Sequence, residues 1–488
     1  MVRTLRLFRS LHTGRATGVM PAEPLEPLEP RRLMAATFFV STTGDDANAG
    51  TDPALPWRHI QKAFDAATPG STVNVAAGRY NERPVLNVSG NATDGFITFQ
   101  ADGHAIISAK KLPGADVVSI NNRHYVKLVG FEIRDNLKVS NGSGIRLTEA
   151  NSFIEIRNNR ITNMKGQNAM GITVYGTEPV NGISNLVIDG NEVFKVQPAR
   201  SEAVVLNGNV HDFVVSNNYV HHVNNIGMDF IGGEGRSPDP ATDVTRNGLV
   251  FGNRVTRASF KGGGRDAAGI YLDGAQDVVV ERNVVWRNDV GIEVNALNPS
   301  RVSSGIVVRD NVIANNNRAG LSLGGSDLFT GSVQNSTFTH NTLYRNDAKK
   351  TGGGEIRVQN AANNLIANNV VSGRRGALLL NAERTAGANV SNYNLFFSPD
   401  GPGRARFAWG GPVLNGFGAF GAASGDATSR FADPLLGRPS KLDFHLRAGS
   451  PAIDAGDPAF VPGVGELDID NQPRVLGARV EIGADEVG

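Results

Sequence analysis

Three acidic side chains fall at related places in neighbouring repeats of this sequence. Asp229, Asp273 and Glu293 each lie in a short aliphatic segment, and Asp273 and Glu293 both follow the phrase Gly-Ile-x-aliphatic or lie within it. If each phrase is a strand of a stacked sheet, the backbones of Asp273 and Glu293 are roughly 8 Å apart. Carboxyl groups about 5–9 Å apart perform glycoside cleavage, one as acid and one as nucleophile or base. Crowding raises the pKa of one such group, which supplies the proton donor.

Strand alternation predicts which side chains share a wall with these carboxylates. Ile270 and Leu272 point inward, so Tyr271 and Asp273 point outward, because successive side chains of a strand alternate between its faces. The same alignment places further polar and aromatic groups on the outer wall. The predicted catalytic residues are Asp273, Glu293 and Asp229, and the predicted substrate-binding residues are Tyr271, Tyr175, Asn207, Asn295, Lys261 and Arg265.

Other interpretations of the same residues stay open. Outward carboxylates on a repeat protein are often only a solvated face. Asp229, Asp273 and Glu293 would also suit calcium, which prefers oxygen ligands; Lys261 or Arg265 would then be the base of a β-elimination. No cofactor other than calcium is expected. A third alternative, from another class, is a surface or adhesion module without catalysis.

A repeat of about 30 residues must position these groups. Asn recurs in one slot after a short β-branched run, and from Asn159 to Asn369 seven intervals cover 210 residues. That period marks a solenoid, and the runs are too short for helices. Stacked coils pair their strands in parallel, and an Asn in one slot can bond the Asn above and below. The repeat positions are Asn159, Asn191, Asn218, Asn253, Asn283, Asn311, Asn341 and Asn369.

The predicted fold is therefore all-β, a right-handed parallel β-helix, because parallel crossovers are strongly right-handed. Composition agrees, since 58 glycines in 488 residues suit a chain that turns often. The net charge of +1 gives no argument for nucleic acid, and no segment is apolar enough to span a membrane. The absence of cysteine excludes disulfides and thiol catalysis. We expect a monomer.

The sequence divides into three parts. Residues 1–36 are basic and then rich in Glu-Pro, and LEPRRLM at 28–34 resembles the LEPR-xLL leader of large secreted bacterial surface proteins, with Met34 in place of Leu. That resemblance implies export, to the medium or the cell surface. Residues 37–385 form the β-helix. Within them Ile60, Ala63, Phe64 and Ala67 have helical spacing and predict a helix that covers the open end.

Residues 386–488 are predicted to be irregular coils and a capping tail. The segment from 37 resembles the N-terminal cap of pectate-lyase-like β-helix proteins, and FADPLL with SPAIDAG resembles the end of extracellular bacterial β-helix proteins. Asp468 and Asp470 favour a β-turn over a calcium loop. The resemblance covers residues 37–488 and implies fold and class rather than reaction. We expect polysaccharide binding and hydrolysis with paired carboxylates, with calcium-dependent elimination and adhesion as alternatives.

Overall fold

A computed structural model describes residues 36–260, 267–325, 329–382 and 387–487. The proposed leader and the loop residues Lys261 and Arg265 lie outside these ranges. The described chain is a right-handed parallel β-helix with two α-helices, Ile60–Ala66 and Phe417–Ser424, as the repeat predicts. Within those ranges every helix is too short or too polar to cross a membrane.

Each coil contributes strands to three walls, which we call faces 1, 2 and 3 in chain order within a coil. Face 1 is a 13-stranded sheet that is parallel except for its last pair. Its strands are Val85–Leu86, Val118–Asn121, Gly142–Thr148, Ala169–Gly176, Glu202–Gly208, Ile226–Ile231, Ala268–Asp273, Val290–Asn295, Ala319–Leu323, Ile356–Val358, Leu378–Ala382, Arg406–Trp409 and Val413–Asn415.

Faces 2 and 3 belong to one 28-stranded sheet that bends at the repeated asparagines. It opens with Thr37–Val40 and Thr72–Tyr80. Face 2 precedes the Asn and contains Ile97–Ser108 (which continues into face 3), His124–Val129, Asn151–Arg157, Ile183–Asp189, Val210–Ser216, Thr245–Phe251, Gln276–Glu281, Val302–Ser304, Val307–Arg309, Ser332–Gln334, Thr337–Thr339, Ala361–Ala362, Leu365–Ala367 and Val390–Asn392. Face 3 follows it and contains Glu132–Arg134, Leu137–Val139, Arg160–Gly166, Glu192–Val196, Tyr219–Val223, Arg254–Ala258, Val284–Trp286, Val312–Ala314, Thr342–Tyr344, Val370–Ser372, Leu395–Phe397 and Arg430–Phe431.

The predicted asparagine ladder is buried at the bend between faces 2 and 3. The amide of Asn283, for example, donates to Asn311 Oδ1 at 3.0 Å and to the carbonyl of Val250 at 2.9 Å. These bonds satisfy backbone groups that the bend removes from the strand ladder. The ladder continues to Asn394, one coil beyond the last predicted member. A second ladder, through Asn288, Asn316 and Asn346, was not recognised in the sequence.

The interior is filled by inward side chains of all three faces. Large aromatic residues stack along the axis where space allows, as Phe213 and Phe230 do at 5.4 Å between ring centroids. Gly248 lies beside Phe213 in the next strand, and a Cβ atom there would meet the Phe213 ring. The repeat therefore tolerates a large ring in one coil because its neighbour has no side chain.

Each of the two α-helices packs on one end of the stack of coils. The helix Ile60–Ala66, which the spacing predicted, buries Phe64 against Phe99 at 4.6 Å between ring centroids. At the other end Phe420 of the second helix packs on Phe396 and Phe407.

The last 50 or so residues run back along faces 2 and 3. They contain a two-stranded antiparallel sheet, Leu436–Arg438 and Asp443–Leu446, joined by the 3₁₀ helix Pro439–Lys441. Apolar tail residues such as Phe444 and Ile482 pack on Trp286 and Val312 of face 3. Asp468 accepts the backbone N–H groups of Asp470 and Gln472, which is the turn that the sequence favoured.

Candidate active site on face 1

The strand register brings the predicted carboxylates to one wall. Asp229 is paired with Tyr271, and Tyr271 is paired with Glu293 in the next coil. Asp273 is paired with Asn295, so it lies one strand away from Glu293 and two residues along. Diagonal neighbours of this kind have backbones about 7–8 Å apart. The register therefore has the diagonal arrangement of Asp273 and Glu293 that the sequence predicted.

The wall that carries these groups is covered rather than open. Asp229 is 2% exposed and Asp273 is 4% exposed, whereas Glu293 is half-buried. One carboxyl group thus reaches the surface while two lie beneath it. Alternation predicted the outward direction correctly, but it carries no information about what lies above the sheet.

Two loops close over Asp273. The N–H of Leu297 donates to Asp273 Oδ1 at 2.6 Å, which places the chain after Asn295 directly above this carboxyl group. The same loop is tied to the long connection after Ile231, because Asn298 Nδ2 donates to the carbonyl of Gly233 at 2.6 Å. A guanidinium N–H of Arg301 also donates to the Pro240 carbonyl, at 2.6 Å.

Two further carboxylates, which the sequence interpretation missed, belong to this cluster. Glu202 begins a face 1 strand and is 9% exposed, and it is paired with Ile226 of the next coil. Glu234 comes from the long loop, and its Oε2 accepts a hydrogen bond from Asn207 Nδ2 at 2.7 Å. A signal for Glu202 existed, since the equivalent position in later coils is apolar. Nothing in the sequence places Glu234, because a loop has no register.

Burial raises the pKa of three of these carboxyl groups above its ordinary value. It raises the pKa of Asp273 to about 7, with the charge of Glu234 adding to the effect. It also raises the pKa of Glu202 to about 8. The pKa of Asp229 lies well above its usual range because of burial and then the charges of Glu202 and Asp273, and its Oδ1 has no hydrogen-bond partner among the described residues. The site is therefore a proton-holding cluster beside a carboxyl group at the surface.

The two predicted tyrosines are also covered. Tyr271 is 5% exposed, and its hydroxyl accepts a hydrogen bond from Asn295 Nδ2 at 3.2 Å. Tyr175 is 7% exposed, with the guanidinium groups of Arg146 and Arg236 at 5.3 and 4.3 Å from its ring centroid. A sugar ring would contact either tyrosine only after the covering residues had moved.

The predicted carboxylates do not converge as calcium ligands. In the described part of the chain, the group of three His or acidic side chains whose ligand atoms lie within 4.8 Å of one another is His445, Asp470 and Asp485, in the tail. The ligand atoms of Asp229, Asp273 and Glu293 therefore do not all lie within 4.8 Å of one another in the described structure.

Comparison with known proteins agrees with this architecture. A family model described as the right-handed beta helix region matches residues 203–343, which include all three predicted catalytic residues. The uncharacterized protein YwoF of Bacillus subtilis is 33% identical over 438 residues, which are 85% of this chain and 92% of YwoF. The chain belongs to the YwoF family of right-handed β-helix proteins.

Proteins of lower sequence identity that match this chain include several named for sugars or polysaccharides. Pectate lyase PEL9 of Emericella nidulans is 29% identical over 160 residues, which are 29% of this chain and 39% of PEL9. XylC, solved in complex with xylose, has a TM-score of 0.56 at 11% identity and covers 82% of this chain and 87% of XylC. The GH136 lacto-N-biosidase from Eubacterium ramulus has a TM-score of 0.53 at 15% identity, with 74% and 67% covered. At these identities the two solved structures share the fold.

Proposed function

We propose that face 1 binds a polysaccharide and cleaves its glycosidic bonds with Asp273 and Glu293 as the paired carboxyl groups. The observation that carries this proposal is the diagonal placement of a buried Asp273, whose pKa is raised to about 7, beside the half-buried Glu293. Hydrolysis of a glycoside needs one carboxyl group that donates a proton to the leaving oxygen. It also needs a second that attacks the sugar carbon as nucleophile or activates a water molecule as base.

The environments of the two groups assign their roles. With its pKa raised to about 7, Asp273 carries a proton in about half of the molecules at neutral pH and gives it to the leaving oxygen, because burial disfavours its charged form. Glu293 lies nearer to solvent and acts as nucleophile or base. Asp229 lies on the far side of Tyr271 from Glu293 and acts as an auxiliary acid that keeps negative charge out of the buried part of the site.

The loops above Asp273 must open to admit a sugar. The contacts between them are hydrogen bonds to backbone carbonyls, from Asn298 to Gly233 and from Arg301 to Pro240. Each such bond contributes only about 1 kcal/mol net, so these contacts between the loops are weak enough to break when substrate binds. Once closed again, the loops exclude water, which strengthens electrostatic interactions within the site.

The relatives support a carbohydrate substrate rather than a particular reaction. A lacto-N-biosidase, a protein bound to xylose and a pectate lyase all share this fold or part of this sequence. We also propose that the protein is exported and acts as a monomer.

A substrate screen followed by paired variants tests the proposal. A glycan array identifies a bound polysaccharide, and product formation is then followed by new reducing ends and by the absorbance of unsaturated uronates. Hydrolysis predicts reducing ends without that absorbance. Glu293→Gln and Asp273→Asn should each lower turnover by about 10²–10⁴-fold, the range for loss of an acid or base, whereas the exposed control Asp102→Asn should not.

Three other outcomes contradict the proposal. Unsaturated products would show β-elimination, for which Lys261 or Arg265 would be the candidate base. Binding without either product would leave an adhesion module. Full turnover in Glu293→Gln would show that the reaction, if any, takes place elsewhere.

A further inference from the structure

Face 3 carries a row of residues whose backbone is in the left-handed conformation, one in each of eight coils. One position of face 3 is paired between neighbouring coils, for example Phe194 with His221 and Thr256 with Trp286. The residue that follows this position has a positive φ between 49 and 65° in each of the eight coils. Most residues avoid this conformation, and Asn or Gly usually takes it. The row is Asp135, Asn163, Lys195, His222, Arg257, Arg287, Asn315 and Arg345.

Lysine or arginine occupies four of the last six positions of this row. Lys195, Arg257, Arg287 and Arg345 are all exposed. Adjacent coils are spaced about 4.8 Å apart, so these side chains form a line parallel to the axis rather than a scattered surface charge. We call this line the basic stripe.

Two grooves lie along the stripe, and further cations line them. A groove of about 750 Å³ adjoins its first half and is lined by the basic residues Arg134, Arg160, Lys165, Lys195, His222 and Arg257. A groove of about 600 Å³ adjoins its second half, where Arg374 and Lys441 of the tail join Arg287 and Arg345. The tail thus adds a positive charge to the stripe.

Among the residues that the structure describes, no carboxylate neutralises the charges of the stripe. In the ranges that the structure describes, no carboxylate oxygen lies within 4.0 Å of the charged nitrogen atoms of Lys195, Arg257, Arg287 or Arg345. Compensation occurs at the first coils instead, where Arg160 binds Glu192 at 2.8 Å. Four cations that lack a carboxylate partner among the described residues and are spread along six coils favour a ligand with several negative charges along its length.

The ionisation of His222 reports the resulting positive field. Its ring contacts the guanidinium of Arg257. Its pKa is lowered by partial burial and then by the charges of Arg257, His221 and Lys195. Neutral His222 therefore leaves the stripe with its Lys and Arg charges at neutral pH.

We propose that the basic stripe binds one chain of an anionic polysaccharide, of the polyuronate class, parallel to the helix axis. One coil is close in length to one hexose unit of an extended polymer, so carboxylates along such a chain reach the cations in the third, fifth, sixth and eighth coils of the row. Duplex DNA carries one charge per about 1.7 Å of its axis, far denser than a single row at about 4.8 Å. The stripe is on a different face from Asp273 and Glu293, so the inference does not depend on the proposed reaction.

The asparagines already present in the row provide the test. The full chain and the variant Lys195→Asn, Arg257→Asn, Arg287→Asn, Arg345→Asn are titrated with polygalacturonate at low salt. Asn suits a left-handed backbone and occupies the same row at Asn163 and Asn315, so the variant keeps the fold. A control, Arg58→Gln, Lys62→Gln, Arg404→Gln, Arg479→Gln, removes the same charge outside the stripe.

The stripe variant should bind polygalacturonate at least tenfold more weakly than the natural chain, with a shallower dependence of affinity on salt. The control should bind as the natural chain does, and methyl-esterified polygalacturonate should bind weakly to all three proteins. Equal affinity of the stripe variant and the natural chain would overturn the proposal, as would no binding of polygalacturonate by the natural chain. Tighter binding of duplex DNA that is lost in the stripe variant would overturn the assignment to polysaccharide.

Discussion

Replacing Asp273 by Asn should stabilise the protein at alkaline pH and leave its stability unchanged in acid. Asp273 is 4% exposed, and its Oδ1 accepts the N–H of Leu297 at 2.6 Å. Asn keeps this acceptor and nearly the same volume, so the substitution removes only the capacity to ionise. The effect on stability should therefore follow the titration of the carboxyl group.

The size and sign follow from the raised pKa. Burial raises the pKa of Asp273 from 3.8 to about 7, and each pH unit between these values corresponds to about 1.4 kcal/mol. The unfolded chain releases this proton near its ordinary pKa while the folded chain retains it. The stabilisation is complete below the unfolded pKa and is lost as pH rises toward 7, a total of about 4 kcal/mol. Asn does not suffer this loss.

Thermal and urea unfolding at pH 4, 6 and 8.5 measure the difference. The melting temperature of Asp273→Asn should nearly match that of the natural protein at pH 4, exceed it at pH 6, where about 3 of the 4 kcal/mol is already lost, and exceed it most at pH 8.5. The exposed control Asp102→Asn should follow the natural protein throughout. An Asp273→Asn protein that is less stable at pH 8.5 would show that the carboxylate is charged and satisfied in the fold, which refutes the reasoning about the site.

Three further changes test the scaffold. Asn283→Ala removes the amide that links its coil to Asn311 and leaves buried backbone groups unpaired, so urea unfolding should show a loss of about 2–4 kcal/mol. Gly248→Ala forces a methyl group onto the Phe213 ring, and the expected loss is about 1–3 kcal/mol by the same measurement. Arg474→Ala leaves two buried carboxyl groups without their cation, at 3.3 Å each, and should cost about 3–5 kcal/mol and expose the tail to limited proteolysis.

Each scaffold change has a control of the same type. Asn141→Ala, Gly418→Ala and Arg479→Ala fall at exposed or uncrowded positions and should alter stability by about 0.5 kcal/mol or less. A ladder variant as stable as Asn141→Ala would show that the side-chain ladder is dispensable. Unchanged proteolysis of Arg474→Ala would show that apolar packing alone holds the tail.

Much of the fold could be predicted because the repeat is local and regular. The slot occupied by Asn283 and its equivalents marks the bend, and the spacing of Ile60, Ala63 and Phe64 marks the terminal helix. The path of the tail along face 3 could not be predicted, because its contacts, such as Phe444 near Trp286, join segments far apart in the sequence. No periodicity encodes such contacts.

The candidate site divides in the same way. Alternation and register place Asp229, Asp273 and Glu293 on one wall, and the strand pairing of the structure has this arrangement. Whether these residues act in catalysis stays a prediction. Glu234 was missed because it comes from a loop, and the row containing Lys195 was missed because no sequence pattern reveals a left-handed backbone at a basic residue.

The sequence by itself determined the coil, the faces of each strand and the row of asparagines, because each depends on spacing along the chain. Only the tertiary structure decided which parts of each wall are covered. Loops bury Asp273 on face 1, whereas the tail leaves the basic stripe exposed on face 3. Burial sets the charge of a carboxyl group and exposure sets what a cation can bind, so the chemistry of both surfaces depends on contacts between distant segments.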